Sequence, residues 1–236
     1  MQNNVIQINF NDIIHGKTEK HLVSLDNKPN IKMTAGTLEA FLEMQSAAKQ
    51  DGLDLYIASA YRSFDRQNNI YSEKYMGHRT VLDIKEEPIN DIWQLGEEEK
   101  IRAILYYSAI PGLSRHHYGT DLDVYSPTLL SMDEQLDLTN ISYSRGSQRP
   151  LSQWLTKNMA KFKFFRPYEV PNDGCANELW HISYAPEADC FTKNIDLDEC
   201  LDFISNSKLL GERILAKIIA VEFENRLKIM SPFYRE

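Results

Sequence analysis

Cysteine is scarce. The chain of 236 residues has three, Cys175, Cys190 and Cys200, an odd number with no pair at C-x-x-C spacing. That excludes a disulfide framework and reads as free thiols in a reducing compartment. Basic residues are outnumbered: 26 Lys and Arg face 34 Asp and Glu, for a net charge of −8. Phosphate binding needs a basic surface, so neither nucleic acid nor an anionic membrane is expected as the main partner. No apolar run is long enough to span a bilayer, and no membrane insertion is expected. The opening "MQNNVIQINFNDIIHG" has no basic segment followed by an apolar one. Read at face value this predicts a cytoplasmic protein, or a periplasmic or extracellular one if a leader was trimmed away. Internal repeats and low-complexity segments are lacking too.

What remains is an ordinary globular composition, 42% hydrophobic and 25% charged, long enough to bury a core. Residues 1–35 read as an irregular or short-strand lead-in. "TLEAFLEMQSAAKQDG" places Leu38, Phe41, Leu42, Gln45 and Ala48 on one helical face, with Gly52 as the stop. "LDLYIASAY" alternates as a strand. Ser63 can cap a following helix that runs to about Tyr75, and "EEEKIRAILYYSAI" reads as another helix. The polar stretch 126–149 reads as a surface excursion without regular structure. "PLSQWLTKNMAKF" is amphipathic, with Leu151, Trp154, Leu155 and Met159 as its apolar stripe. "KFFRPY" and "ELWHISY" look like strands joined by the turn "PNDG", and beyond 191 the spacing is helical again. Helices and strands without regular βαβ alternation predict an α+β fold. Residues 1–190 are expected to form the main domain, and 191–236 a helical extension packed on it.

"SRHHYGTDLDVYS", residues 114–126, is where the chemistry concentrates. If 121–125 is extended, Asp121, Asp123 and Tyr125 share one face and Leu122 and Val124 the other. Gly119 permits a tight turn, so His116 or His117 can fold back beside Asp123. A catalytic zinc usually takes three protein ligands and leaves one position open. Among the other histidines, His181 stands out in "NELWHISY", three residues after Glu178. A carboxylate beside a ligand histidine is what a general base needs. Cys175 lies near this segment, but no residue close by in sequence activates it, and it reads as an inert thiol.

The pattern Ser114-x-His116-x-x-Gly119-x-Asp121-x-Asp123, followed by Glu178-x-Trp180-His181, resembles the signature of VanY-type D-alanyl-D-alanine carboxypeptidases. These belong to a zinc peptidase group that includes lysostaphin and the Hedgehog signalling domain. "SAYRSFDRQ" and "WLTKNMAKFKFFRPY" resemble two further family blocks, and the likeness spans about 36–186 in order. The resemblance implies a small antiparallel sheet with flanking helices. It implies one Zn2+ ion held by His116, Asp123 and His181, with Glu178 as catalytic base. Arg62 would stabilise the oxyanion or hold a substrate carbonyl or carboxylate; Ser63 and Gln67 would bind the peptide end, and Trp180 would wall the pocket. Position 121 is often alanine in the family, 60 glycine, 179 proline and 183 arginine, so substrate preference is less determined than chemistry. The implied function is a D,D-carboxypeptidase acting on peptidoglycan stem peptides or muropeptides. The alternatives are an L,D-carboxypeptidase, an endopeptidase of the same group, or a zinc-stabilised peptide-binding module without turnover. The roles of Asp121 and His117 stay open at this point.

Overall fold

The structure, a computed structural model, describes residues 9–169 and 174–234. Most of the expected turn at 171–174 therefore lies outside the described residues. A short helix α1 (Phe10–Ile14), capped by Asn9, opens the chain. At five residues it is too brief to show a helical period. A hairpin follows, β1 (Val23–Leu25) and β2 (Lys28–Met33), in the expected lead-in. Thr34 then accepts the Thr37 N–H and starts α2 (Ala35–Gln50). This helix ends at Asp51, with Gly52 at φ +82°. Its buried stripe is Thr37, Ala40, Phe41, Met44 and Ala48. Leu42, expected inside, is 44% exposed. One residue is a rotation of about 100° in an α-helix, which carries Leu42 off the stripe led by Phe41.

β3 (Tyr56–Ser59) is shorter than the alternation predicts. α3 (Phe64–Tyr75) is capped by the Ser63 hydroxyl, which accepts from the Arg66 N–H. α4 (Glu97–Tyr106) carries Glu97, Glu98 and Glu99 in its first turn, where the dipole favours acids. β4 (Asp121–Tyr125) comes next. The stretch 126–149 is more ordered than expected: it holds α5 (Asn140–Ser144) and leads into α6 (Arg149–Asn158). The fully buried Gln148 closes this excursion on Ser126, accepting its N–H at 2.8 Å and donating to its carbonyl at 3.0 Å. The Tyr143 hydroxyl donates to the Val124 carbonyl at 2.6 Å. Polar residues that find buried partners leave no hydrophobic period to read. The chain ends with β5 (Phe164–Phe165), β6 (His181–Tyr184), α7 (Ala185–Lys193), α8 (Leu197–Asn206) and α9 (Glu212–Leu227). α7 was not legible in the sequence; it begins directly at the end of β6.

The main sheet is antiparallel in the order β3-β4-β6-β5. One face packs on α2 and α6: Ile57, Leu122, Val124 and Ile182 meet Phe41, Met44, Leu151 and Leu155. A second core joins α3, α4, α8 and α9 through Tyr71, Ile101, Ile104, Ile204, Leu215 and Ile218. A cleft of about 1080 Å³ is lined from both sides, by sheet residues and by α3, α4 and α9. Among the described residues no helix is long and apolar enough to cross a membrane.

Candidate metal centre

Strand register builds the centre. Ser59 pairs with Asp123, and Asp123 with His181, so three side chains form one row across β3, β4 and β6. The next row pairs Asp121 with Ser183. Leu122 and Val124, fully buried, drop into the apolar core and leave both aspartates on the opposite face. Gly119, at φ +76°, turns the chain so that a short 3-10 turn, Arg115–His117, returns over this face. A side chain at 119 would collide with Leu22, its Cβ falling 2.3 Å from a methyl carbon.

The adjacent histidines have separate tasks. His116 Nδ1 lies 2.8 Å from the Ala60 carbonyl and donates to it, which leaves the Nε2 lone pair 3.3 Å from Asp123 Oδ2. His117 points the other way: its Nδ1 lies 2.6 Å from the Arg62 carbonyl, and its Nε2 accepts the Gly112 N–H at 3.0 Å. Burial pushes His117 down to about 3, so it stays neutral and acts as a clasp between two loops. Burial also lowers His116, with the Arg62 charge adding to the effect.

His181 Nε2 meets Asp121 Oδ1 at 2.9 Å, while its Nδ1 faces Asp123 Oδ1 at 3.1 Å and Glu178 Oε2 at 3.5 Å. Burial disfavours a charge on this ring, but the hydrogen bonds and charges of the two aspartates outweigh it and raise His181 to about 9. Asp121 is sequestered from water, which alone would raise its pKa. Arg115 at 2.8 Å and His181 hold it well below the usual carboxylate range. Asp121 is also bonded by Thr120 and Ser183, and Arg115 reaches on to Ser183, Thr192 and the Ile229 carbonyl. Asp121 therefore orients His181 from behind, as partners of ligand histidines do.

His116, Asp123 and His181 each offer one donor atom, and these atoms lie within 4.8 Å of one another. Two imidazoles, each oriented from behind by the Ala60 carbonyl or Asp121, and a carboxylate suit a divalent metal of the zinc type. The donor set fits the group the sequence implies. Glu178 is largely enclosed beside it, and burial, with Asp123 adding to it, raises its carboxyl to about 7. Arg62 stands on the same side. It donates to Asp123 at 2.7 Å and Ser59 at 3.0 Å, and its Nη2 lies 2.9 Å from His116 Nε2.

Trp180 lines the cleft and packs on Tyr143 in the core. Gln67 is fully buried behind Arg62: it accepts from Arg62 Nη1 at 3.2 Å and donates to the Ala109 carbonyl at 2.9 Å. Ser63 caps α3. Two positioning residues carried no signal in the sequence. Asn140 bridges both flanks of Glu178, donating to the Asn177 carbonyl at 2.6 Å and accepting the Leu179 N–H at 3.4 Å. Arg226, on α9, donates to the Gly174 carbonyl at 2.8 Å and reaches Cys175 Sγ at 3.2 Å. Burial raises the Cys175 thiol to about 11, so it is no nucleophile.

Residues 30–187 match the family described as VanY: D-alanyl-D-alanine carboxypeptidase. The chain belongs to that family. A D-alanyl-D-alanine carboxypeptidase of Enterococcus faecalis is 25% identical over 184 residues, covering 76% of this chain and 58% of that protein. The chain spans between 44% and 68% of the length of the curated relatives it matches. Among solved structures, VanYB in complex with D-alanine-D-alanine is similar at a TM-score of 0.52 and 20% identity, over 77% of this chain and 87% of that one. A mutant of the D,D-pentapeptidase VanY in complex with Zn(II) is similar at 0.51 and 21%, over 82% and 88%. At those identities the likeness is one of fold, and it agrees with the α+β architecture expected from the sequence.

Proposed function

We propose that this chain is a zinc-dependent D,D-carboxypeptidase that removes the terminal D-alanine from peptidoglycan stem peptides or muropeptides. The reading rests on one observation: three ligand atoms of His116, Asp123 and His181 converge, with the carboxylate of Glu178 3.5 Å from His181. A structural metal site is closed and needs no base beside it. The D-alanine-D-alanine bound by VanYB and the Zn(II) bound by the VanY mutant point to the same substrate and metal.

Zinc held by His116, Asp123 and His181 would supply a Lewis acid and a lowered pKa for the attacking water. Glu178 takes the proton from the attacking water and returns it to the leaving amine. Burial raises this carboxyl above the ordinary carboxylate range in the metal-free protein, which favours its holding the proton between the two transfers. Arg62 supplies fixed positive charge toward the developing oxyanion, held in place by Ser59 and Gln67. Asp121 keeps the His181 ring from turning, and Trp180 closes one wall.

The test is release of D-alanine from a pentapeptide ending in D-Ala-D-Ala, with zinc content measured alongside. Glu178→Gln should keep its zinc and lose roughly 100- to 10,000-fold in kcat. Equal rates for the variant and the wild type would overturn the mechanism. D-alanine released from the tetrapeptide, and not from the pentapeptide, would move the reading to an L,D-carboxypeptidase. Binding without turnover would leave a peptide-binding module.

A further inference from the structure

The protein is acidic overall, yet the cleft is lined by Arg62, Arg66, Lys74 and Arg79. Lys74 is the odd member of this set. It lies in the last turn of α3, and its Nζ donates to Ser108 Oγ at 2.6 Å. An ammonium group has three donors, and among the described residues no carboxylate pairs with this one. Burial, helped by the charges of Arg79 and Arg62, pushes Lys74 down to about 8; Glu178 acts against that shift. A partly buried ammonium held by one hydroxyl and facing a cleft is suited to pair with an anion.

The substrate chemistry says which anion. In a carboxypeptidase the leaving residue carries the departing amine and the chain-terminal carboxylate together. The two groups are separated by a single Cα, within roughly 4 Å. A cation that reads the carboxylate must therefore stand near the group that hands the amine its proton. Lys74, Arg62 and Glu178 line the same cleft. α3 also carries Gln67, which holds Arg62, so one helix sets both positions.

We propose that Lys74, oriented by Ser108, binds the α-carboxylate of the leaving residue and so confines cleavage to chain ends. This rests on the carboxypeptidase reading and adds the subsite that makes the enzyme exo-acting. An endopeptidase would gain nothing from a cation here, because its leaving segment continues as a neutral amide. Ser108 keeps the flexible lysine stem aimed across the cleft from α3 toward the end of α4. Binding of the carboxylate would supply the ion pair that Lys74 lacks.

The experiment uses two peptides that differ only in the terminus, a free acid and its amide. Lys74→Met keeps the stem and removes the charge; Lys74→Gln serves if the methionine variant does not fold; Lys74→Arg is the conservative control. In steady-state kinetics Lys74→Met should raise KM for the acid by roughly 10- to 100-fold, with the loss falling on KM and not on kcat. The amide should show no comparable change, and Lys74→Arg should restore most of the acid preference. Calorimetry in the Glu178→Gln background reads the same preference as affinity, whether or not the wild type turns over. If the wild type cleaves and the acid preference survives Lys74→Met, the subsite falls and the carboxypeptidase reading stands. If nothing is cleaved but the acid binds more tightly until Lys74 is replaced, the subsite stands and that reading falls. Equal losses on acid and amide would show a structural lysine and overturn the proposal.

Discussion

Around His181 and around Ile218 the chain is equally hidden from water, and the means are opposite. The ring of His181 is bonded to Asp121 and Asp123; Asp121 is bonded in turn by Arg115 and Ser183, and Arg115 by Thr192, all of them buried. Ile218 belongs to a core of hydrocarbon from α4, α8 and α9. Apolar packing is non-directional, so the helical half gains cohesion without dictating the angle of any one group. A saturated polar network does dictate angles, and a metal centre needs that. Its cost is sensitivity, because each partner removed strands another in a low-dielectric interior.

The sharpest way to break this contrast is Asp121→Ala. Arg115 would be left buried without its carboxylate and His181 without its orienting partner. We expect a stability loss of about 3–5 kcal/mol and a fall in zinc affinity of roughly 10- to 100-fold. Denaturant unfolding and competitive zinc titration would read the two effects. Unchanged zinc affinity would show that His181 needs no support from behind.

Ile218→Ala is the counterpart in the apolar half. A cavity there should cost about 2–5 kcal/mol of stability while kcat per folded molecule, and zinc content, stay near wild type. A large fall in kcat at a temperature where the variant is folded would mean that the helical core also sets the geometry of the centre.

Arg226→Met probes the seam between the halves. The variant keeps the apolar stem but loses the bond from α9 to the Gly174 carbonyl, four residues before Glu178. We expect the smallest stability effect of the three, about 1–2 kcal/mol. We also expect a several-fold fall in kcat with little change in KM, because the loop that carries the base loses a tether. A change in stability alone would make Arg226 purely structural. The Ile229 carbonyl, which accepts from Arg115, ties the same C-terminal segment to the network behind Asp121. Residues past the family match at 187 thus reach the surroundings of the centre, Thr192 and Ile229 through Arg115 and Arg226 through Gly174.

Legibility in the sequence tracked the directness of each signal. β4 was readable because period-two alternation is imposed by the pleat, and Leu122 and Val124 had to be inside if Asp121 and Asp123 were to be out. Gly119 was readable because the turn demands a positive φ. The stop at Gly52 and the Ser63 cap were readable for the same local reason. Leu42 was misplaced because short windows on a helix leave the centre of the stripe uncertain by about one residue. α5 and the Gln148 clasp were invisible because what orders them is polar.

The chain alone determined which side chains could carry the chemistry: a histidine at 116 or 117, the donors at 123 and 181, the acid at 178, and the alternation that turns the strand residues toward a common face. Those are consequences of covalent spacing and backbone period, and they act within a few residues. Tertiary structure decided which of two adjacent histidines faces the centre, what stands behind His181, that Lys74 and Arg226 line the cleft, and that Asn140 holds both flanks of Glu178. Each of those outcomes depends on strand pairing and helix packing between segments far apart in sequence, where no local pattern can register the partner.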